Sequence, residues 1–275
     1  MNPHAAHPSS FIGMLKAVWC NRQLIFRMTR REISGRYRGS LVGIFWSLLN
    51  PLFMLAIYTF VFSVIFKARW GVEEAGRGEF AIVLFAGLIV YGFFAEVINK
   101  APQLILGNVN YVKKVVFPLE VLPVVHLLVA CFQVFVSLCV LLVAQFVVNK
   151  SLSWTVLLFP VVMTPLLVLT QGLAWIIASL GVFIRDIGQV MTLLTSVLLF
   201  MSPVFFPLKS LPENFQPWMQ ANPLTFIIEQ VRGVLVFGEM PNIWGLFLYF
   251  LISLLFSLIG FKWFQKTRKG FADVL

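Results

Sequence analysis

The reading turns on RYRGSLVGIFWSLLNPLFMLAIYTFVFSVIF, Arg36–Phe66. It opens on Arg36 and Arg38 around Tyr37, then runs 26 residues, Leu41 to Phe66, without a charged side chain. As a helix at about 1.5 Å per residue it would measure roughly 39 Å, more than the ~30 Å hydrocarbon core of a bilayer requires. Asn50-Pro51 falls inside it. The proline lacks the N–H that would bond the Ser47 carbonyl, and it pushes Asn50 away from helical geometry. A buried helix of a soluble protein is rarely so long and so apolar. The stretch predicts a membrane span with a kink.

The whole chain agrees. Hydrophobic residues make up 60% and charged residues 12% of its 275 positions, and mean hydropathy is +0.91. Ordinary soluble domains carry about 25% charge, so this is an integral membrane protein. The net charge of +10 comes from basic residues beside hydrophobic runs. That arrangement fits anionic headgroups, a phosphorylated substrate or an acidic partner better than nucleic acid. Cys20, Cys131 and Cys139 form no metal or disulfide pattern, and His4, His7 and His126 are scattered, so no metal site is expected. No signal peptide is visible in the first ~40 residues, and the spans themselves are expected to direct insertion.

Working outward, residues 11–35 are too polar to span. On a helical wheel Phe11, Leu15, Val18, Ile25 and Ile33 share one side and Lys16, Gln23, Arg27 and Ser34 the other, with Arg31 near them. This is an amphipathic helix at the membrane surface, serving a partner or only as a topology anchor. Further apolar runs cover about 80–98, 124–148, 154–184, 187–208 and 243–264, making six spans with the first at about 41–66. Fifteen of the 21 Lys and Arg fall in the N-terminal segment, the second and fourth loops and the tail, which places both termini in the cytoplasm. No repeat or linker divides residues 1–275, so one domain is expected.

The chain has no Gly-Lys pair and hence no P-loop for a nucleotide. It has no intramembrane ladder of acids for proton coupling; Glu96 and His126 lie near predicted span ends. Nor does it hold a nucleophile with its base or a pair of facing carboxylates. Glu73-Glu74 is an exposed loop pair whose members do not face each other. Energy for uphill transport must come from another chain. In the segment 209–242, Asn222-Pro223 supplies an N-cap and N1 proline for a helix ending near Gly238, with PENFQPWMQ before it as another short helix. One face holds Leu224, Ile227, Ile228, Val231, Val234 and Leu235; the other holds Thr225, Glu229 and Arg232. At roughly 21 Å it is too short to cross, and reads as a plain outer cap or a gate over an exit.

Three stretches carry a family resemblance: Arg36–Trp70, NVNYVKKVVFPLEVLPVV (Asn108–Val125), and SPVFFPLKSLP with NPLTFIIEQVRGVL (Ser202–Leu235). Over nearly its whole length the chain resembles the permease subunits of ABC-2 type exporters of O-antigen, capsule and teichoic acid polysaccharides. The resemblance implies an all-α integral membrane fold of six transmembrane helices. An amphipathic interface helix precedes them, and short outer gate helices lie between spans five and six. It implies a homodimer in the bacterial inner membrane, driven by a separate dimer of ATP-binding subunits that holds ATP and Mg, with no cofactor in this chain. The substrate it implies is a polysaccharide on an undecaprenyl diphosphate lipid.

Contact with the ATPase maps onto the interface helix and the loop after the second span, represented by Arg27, Arg30, Arg31, Glu32, Asn108 and Asn110. Arg36, Arg38, Lys113 and Lys114 lie on the side where a lipid diphosphate would bind, or where headgroups would. Gate and pore candidates are Asn50, Pro51, Tyr58, Phe62, Pro203, Phe205, Phe206, Asn222, Pro223, Glu229 and Arg232. The alternatives are an ABC-2 exporter of a small lipid or drug, a polyprenyl-lipid membrane enzyme, and a membrane scaffold.

Overall fold

A computed structural model of the chain describes residues 11–36, 42–61, 77–113 and 117–275; Arg38, Phe62 and Lys114 lie outside the described residues. Among those described, all regular structure is helical. Two helices, α1 (Phe11–Cys20) and α2 (Arg22–Arg36), form the amphipathic segment. They are separated at Asn21, whose side-chain amide donates to the Ala17 carbonyl at 2.7 Å. The first apolar helix begins with a tight turn, Gly43–Phe45, and continues as α3 (Trp46–Tyr58) through Pro51. Then come α4 (Arg77–Lys100), the short α5 (Gln103–Leu106) and α6 (Val109–Lys113), and α7 (Val121–Asn149). The rest of the bundle is α8 (Phe159–Phe183) and α9 (Ile187–Phe200), the short α10 (Gln216–Gln220) and α11 (Pro223–Arg232), α12 (Ile243–Thr267), and a terminal turn, α13 (Phe271–Val274).

Among the described residues, four segments are long and apolar enough to cross a membrane: Glu79–Lys100, Val121–Asn149, Trp154–Phe183 and Ile243–Val274. Trp46–Val61 and Ile187–Phe200 are apolar but shorter. The fifth apolar run therefore stops eight residues before the expected Leu208, because Pro203 has no N–H to carry the helix on. Burial ranks the long helices. In α4, 78% of the apolar window is buried, against 22% in α12, so α4 is the axis of the bundle and α12 presents most of its surface outward. Around α4 pack α3, α7, α8, α9 and α11.

The tightest seam joins α8 to α12. A Cβ on Gly172 would come within 2.6 Å of the Ser257 Cα, and one on Gly260 would strike the Gly172 carbonyl oxygen. Small residues let the two backbones touch where no hydrophobic force distinguishes helix from lipid. At the end of the bundle where α2, α5 and the tail gather, a second apolar cluster holds Met14, Ile25, Ile105, Leu122, Trp175 and Phe271. The amphipathic segment thus splits its apolar side: Met14 and Ile25 dock on the bundle, while Ile12, Trp19 and Phe26 stay exposed. Here the wheel reading needs amending, since protein as well as lipid covers the apolar face. The Gly172→Leu variant should be less stable by about 1–3 kcal/mol from overpacking. Gly92→Ala, whose new Cβ meets nothing within 4 Å, should leave the detergent-solubilised thermal midpoint near wild type.

Candidate functional site

Pro51 removes the donor for the Ser47 carbonyl, and the structure supplies another: the Gln133 side-chain amide of α7 donates to that oxygen at 3.1 Å. The helix is tied there to α7, and it runs on through Asn50 and Pro51, so Asn50 stays helical where the sequence led us to expect a departure. Beside this tie lies a cavity of about 260 Å³ between α3, α4 and α7, whose walls include Asn50, Pro51, Tyr58, Tyr91, Gln133 and Glu96. Three of the pore candidates, Asn50, Pro51 and Tyr58, are thereby brought together. The polar groups that join them, Tyr91, Gln133 and Ser137, were not singled out from sequence; each is a lone polar residue in an apolar run.

Phe62 lies outside the described residues, and Pro203, Phe205, Phe206, Asn222, Pro223, Glu229 and Arg232 fall on α11 and in the segment between α9 and α10. Asn222 caps α11, its side-chain oxygen accepting from the Leu224 N–H at 2.9 Å, with Pro223 next in line. The same side chain donates to the Met201 carbonyl and the Ser202 hydroxyl, both at 2.8 Å. At the other end of α11, Arg232 is 2% exposed. Its Nε donates to the Val83 carbonyl of α4 at 3.0 Å, Nη2 to the Val204 carbonyl at 2.7 Å, and Nη1 to the Pro203 carbonyl. Glu229 stands 3.8 Å away, half exposed. Gly87 makes room, since a Cβ there would sit 2.9 Å from Nη2. The helix continues as a wide turn over Gly233–Phe237 and ends at Gly238, φ 70°, as the sequence placed it. Its two faces are not divided as the wheel proposed. Thr225 and Arg232 are as buried as Leu224 and Ile227, because backbone carbonyls, not water, meet their polar atoms. Phe205 and Phe206 are partly buried, and the Phe205 ring lies tilted against that of Phe200, 6.0 Å between centroids.

Of the coupling candidates, Arg27, Arg30 and Arg31 are exposed on α2 and Asn110 on α6. Asn108 is half-buried and donates to the Leu104 carbonyl at 2.8 Å. Glu32 turns inward to His126 Nδ1 of α7 at 3.3 Å, and Arg36 pairs with Glu96 of α4. The other His126 nitrogen faces the Glu96 carbonyl oxygen at 3.4 Å. Arg36 is thus engaged by a carboxylate, while Lys113 is exposed. Nearby, Arg268 of the tail donates to Glu120 at 2.8 Å and to the Phe117 carbonyl at 3.0 Å, and Trp175 donates to the Glu120 carbonyl at 3.0 Å. The hydrogen bond from His126 holds the Glu32 carboxyl below its ordinary value of 4.5, with attraction from His126, Arg36 and Lys100 overcoming desolvation.

A model of the ABC-2 type transporter family matches residues 23–236. The chain belongs to that family and is a transport subunit. It is 26% identical to the O-antigen export system permease protein RfbA of Myxococcus xanthus, over 95% of this chain and 99% of the relative. A protein of the same name from Klebsiella pneumoniae is 26% identical over 92% of this chain and 95% of its own length. The polysialic acid transport protein KpsM of Escherichia coli is 24% identical over 87% of this chain and 92% of its own.

Two measurements check the polar contacts. Arg232→Gln leaves the Pro203 and Val204 carbonyls short of donors and should cost on the order of 3 kcal/mol in thermal or denaturant unfolding. The Glu32 contribution has the opposite sign to a basic group: a lowered carboxyl stabilises fully above its unfolded value and loses that stabilisation as pH falls through the native one. Hence the advantage of wild type over Glu32→Gln in thermal midpoint should shrink below about pH 4.5.

Proposed function

We propose that this chain is the permease subunit of an ATP-driven exporter that carries an undecaprenyl-diphosphate-linked polysaccharide out of the cytoplasm. The observation that carries the reading is similarity along 87–95% of the chain to permeases named for O-antigen export and polysialic acid transport. In this reading the chain crosses the bacterial inner membrane six times with both termini in the cytoplasm and works as a homodimer. α3 and α9 count as crossings despite their length. Support comes from the level at which α9 meets α4: Thr195 bonds Asn99 and Tyr91, while Pro203 and Val204 reach Arg232 beside Val83. From Asn99 to Val83 is roughly 24 Å of helix, so α9 with its broken end runs most of the depth of α4.

The exposed arginines of α2 and the α5–α6 loop form the face offered to the ATPase dimer, which supplies ATP and Mg. α10 and α11 form the outer gate. The cavity beside Pro51 opens toward the path of the polymer, and Lys113, with Arg38 and Lys114 outside the described residues, meets the carrier diphosphate. The substrate supplies its own C–H faces for aromatics such as Tyr58 to stack against.

The test is co-purification with candidate ATP-binding subunits, followed by ATPase assay in liposomes. The unaltered chain should retain the ATPase, and the Arg27→Glu/Arg30→Glu/Arg31→Glu variant should release it and abolish surface polysaccharide. An ATPase that never associates, or a triple variant that exports normally, contradicts the reading.

A further inference from the structure

Glu32 and Arg36 lie four residues apart on α2, one turn along the same face, and each grips a different helix. Glu32 meets His126 on α7 and Arg36 meets Glu96 on α4. His126 also faces the Glu96 carbonyl, so three helices close on one cluster. A helix held at one point swivels; held at two points it passes on rotation as well as translation. The neighbouring arginines, Arg27, Arg30 and Arg31, point the other way and are exposed.

The cluster lines an open crevice of about 430 Å³ with Asn99 and Lys100. Glu96 belongs to this crevice and to the cavity beside Pro51. One turn on, Asn99 accepts from the Thr195 hydroxyl of α9 at 3.0 Å. Thirteen residues back along α4, roughly 20 Å away, the Val83 carbonyl receives Arg232 of α11. The Arg36 and Glu96 side chains are 31% and 25% exposed, and the pair joins the surface helix α2 to α4, the axis of the bundle.

Resting on the permease reading, we infer that Glu32–His126 and Arg36–Glu96 form a two-point joint through which movement of α2 is delivered to α4 and α7. The four side chains are positioning residues. They touch neither nucleotide nor polymer, and they set how far displacement at the surface reaches the α3–α7 tie at Pro51 and the gate at Arg232.

The test uses the full chain as the sole copy in cells and in its purified complex with the ATPase. The readout is surface polysaccharide relative to the ATPase rate, with thermal midpoint alongside. Glu96→Arg and Arg36→Glu should each lower that ratio roughly tenfold or more, the scale of an ordinary coupling free energy. The double variant Arg36→Glu/Glu96→Arg should recover most of it, and Arg36→Lys, which keeps the charge, should stay close to wild type. Single reversals with a wild-type ratio, or a double variant no better than either single, would overturn the joint. Failure of the permease reading looks different: the unaltered chain then retains no ATPase at all.

Discussion

A backbone carbonyl freed inside a bilayer has no water to turn to, and this structure is arranged around that constraint. Pro51 frees the Ser47 oxygen and Gln133 answers it from α7. Pro203 ends α9, and the carbonyls of residues 201, 203 and 204 are taken by Asn222 and Arg232, which stand at the two ends of α11. Each proline break therefore becomes a connection between helices. A carbonyl repaired within its own helix would be a local matter; one repaired by a neighbour ties the two helices together.

The chemistry of the donors suits the two places. Gln133 is neutral and donates to the Ser47 carbonyl through its amide, beside a cavity. Arg232 is charged and buried, and spreads a rigid planar fork over three carbonyls from two parts of the chain. Removing it strands several acceptors at once, whereas an amide tie of ordinary strength is worth about 1 kcal/mol. Segments that must shift are better held by the first kind of contact and segments that must stay by the second. On that criterion the tie of α3 at Pro51 is the softer point and the α11 anchor the firmer.

Much of this was legible in the sequence and the rest was hidden for identifiable reasons. The orphaned Ser47 carbonyl, the Asn222 cap and the end at Gly238 follow from local rules about proline, N-caps and glycine. The donor for Ser47 does not, because Gln133 is 86 positions away and is one amide among many apolar residues. The wheel of α11 put Arg232 on a polar face, and only the tertiary structure shows that its partners are carbonyls of buried backbone. Glu96 and His126 were visible as lone polar residues near span ends; their partners, Arg36 and Glu32, were read as facing a phosphate or a protein instead. Sequence spacing sorts residues by face, and it does not say which face meets another helix.

α4 is where these contacts converge. Most of its apolar window is enclosed by protein, so neighbours on several sides oppose its bending. It receives the charge pair from α2 near one end, at Glu96, and the guanidinium of α11 near the other, at Val83. An isolated helix with those two attachments would flex between them. A helix clasped by α3, α7, α8 and α9 moves with its neighbours or hardly at all. Displacement at the Glu96 end would pass to those neighbours, of which α3 and α9 are held least by protein: Leu52, Phe53 and Ile57 are exposed on α3, and Val190, Leu193 and Val197 on α9.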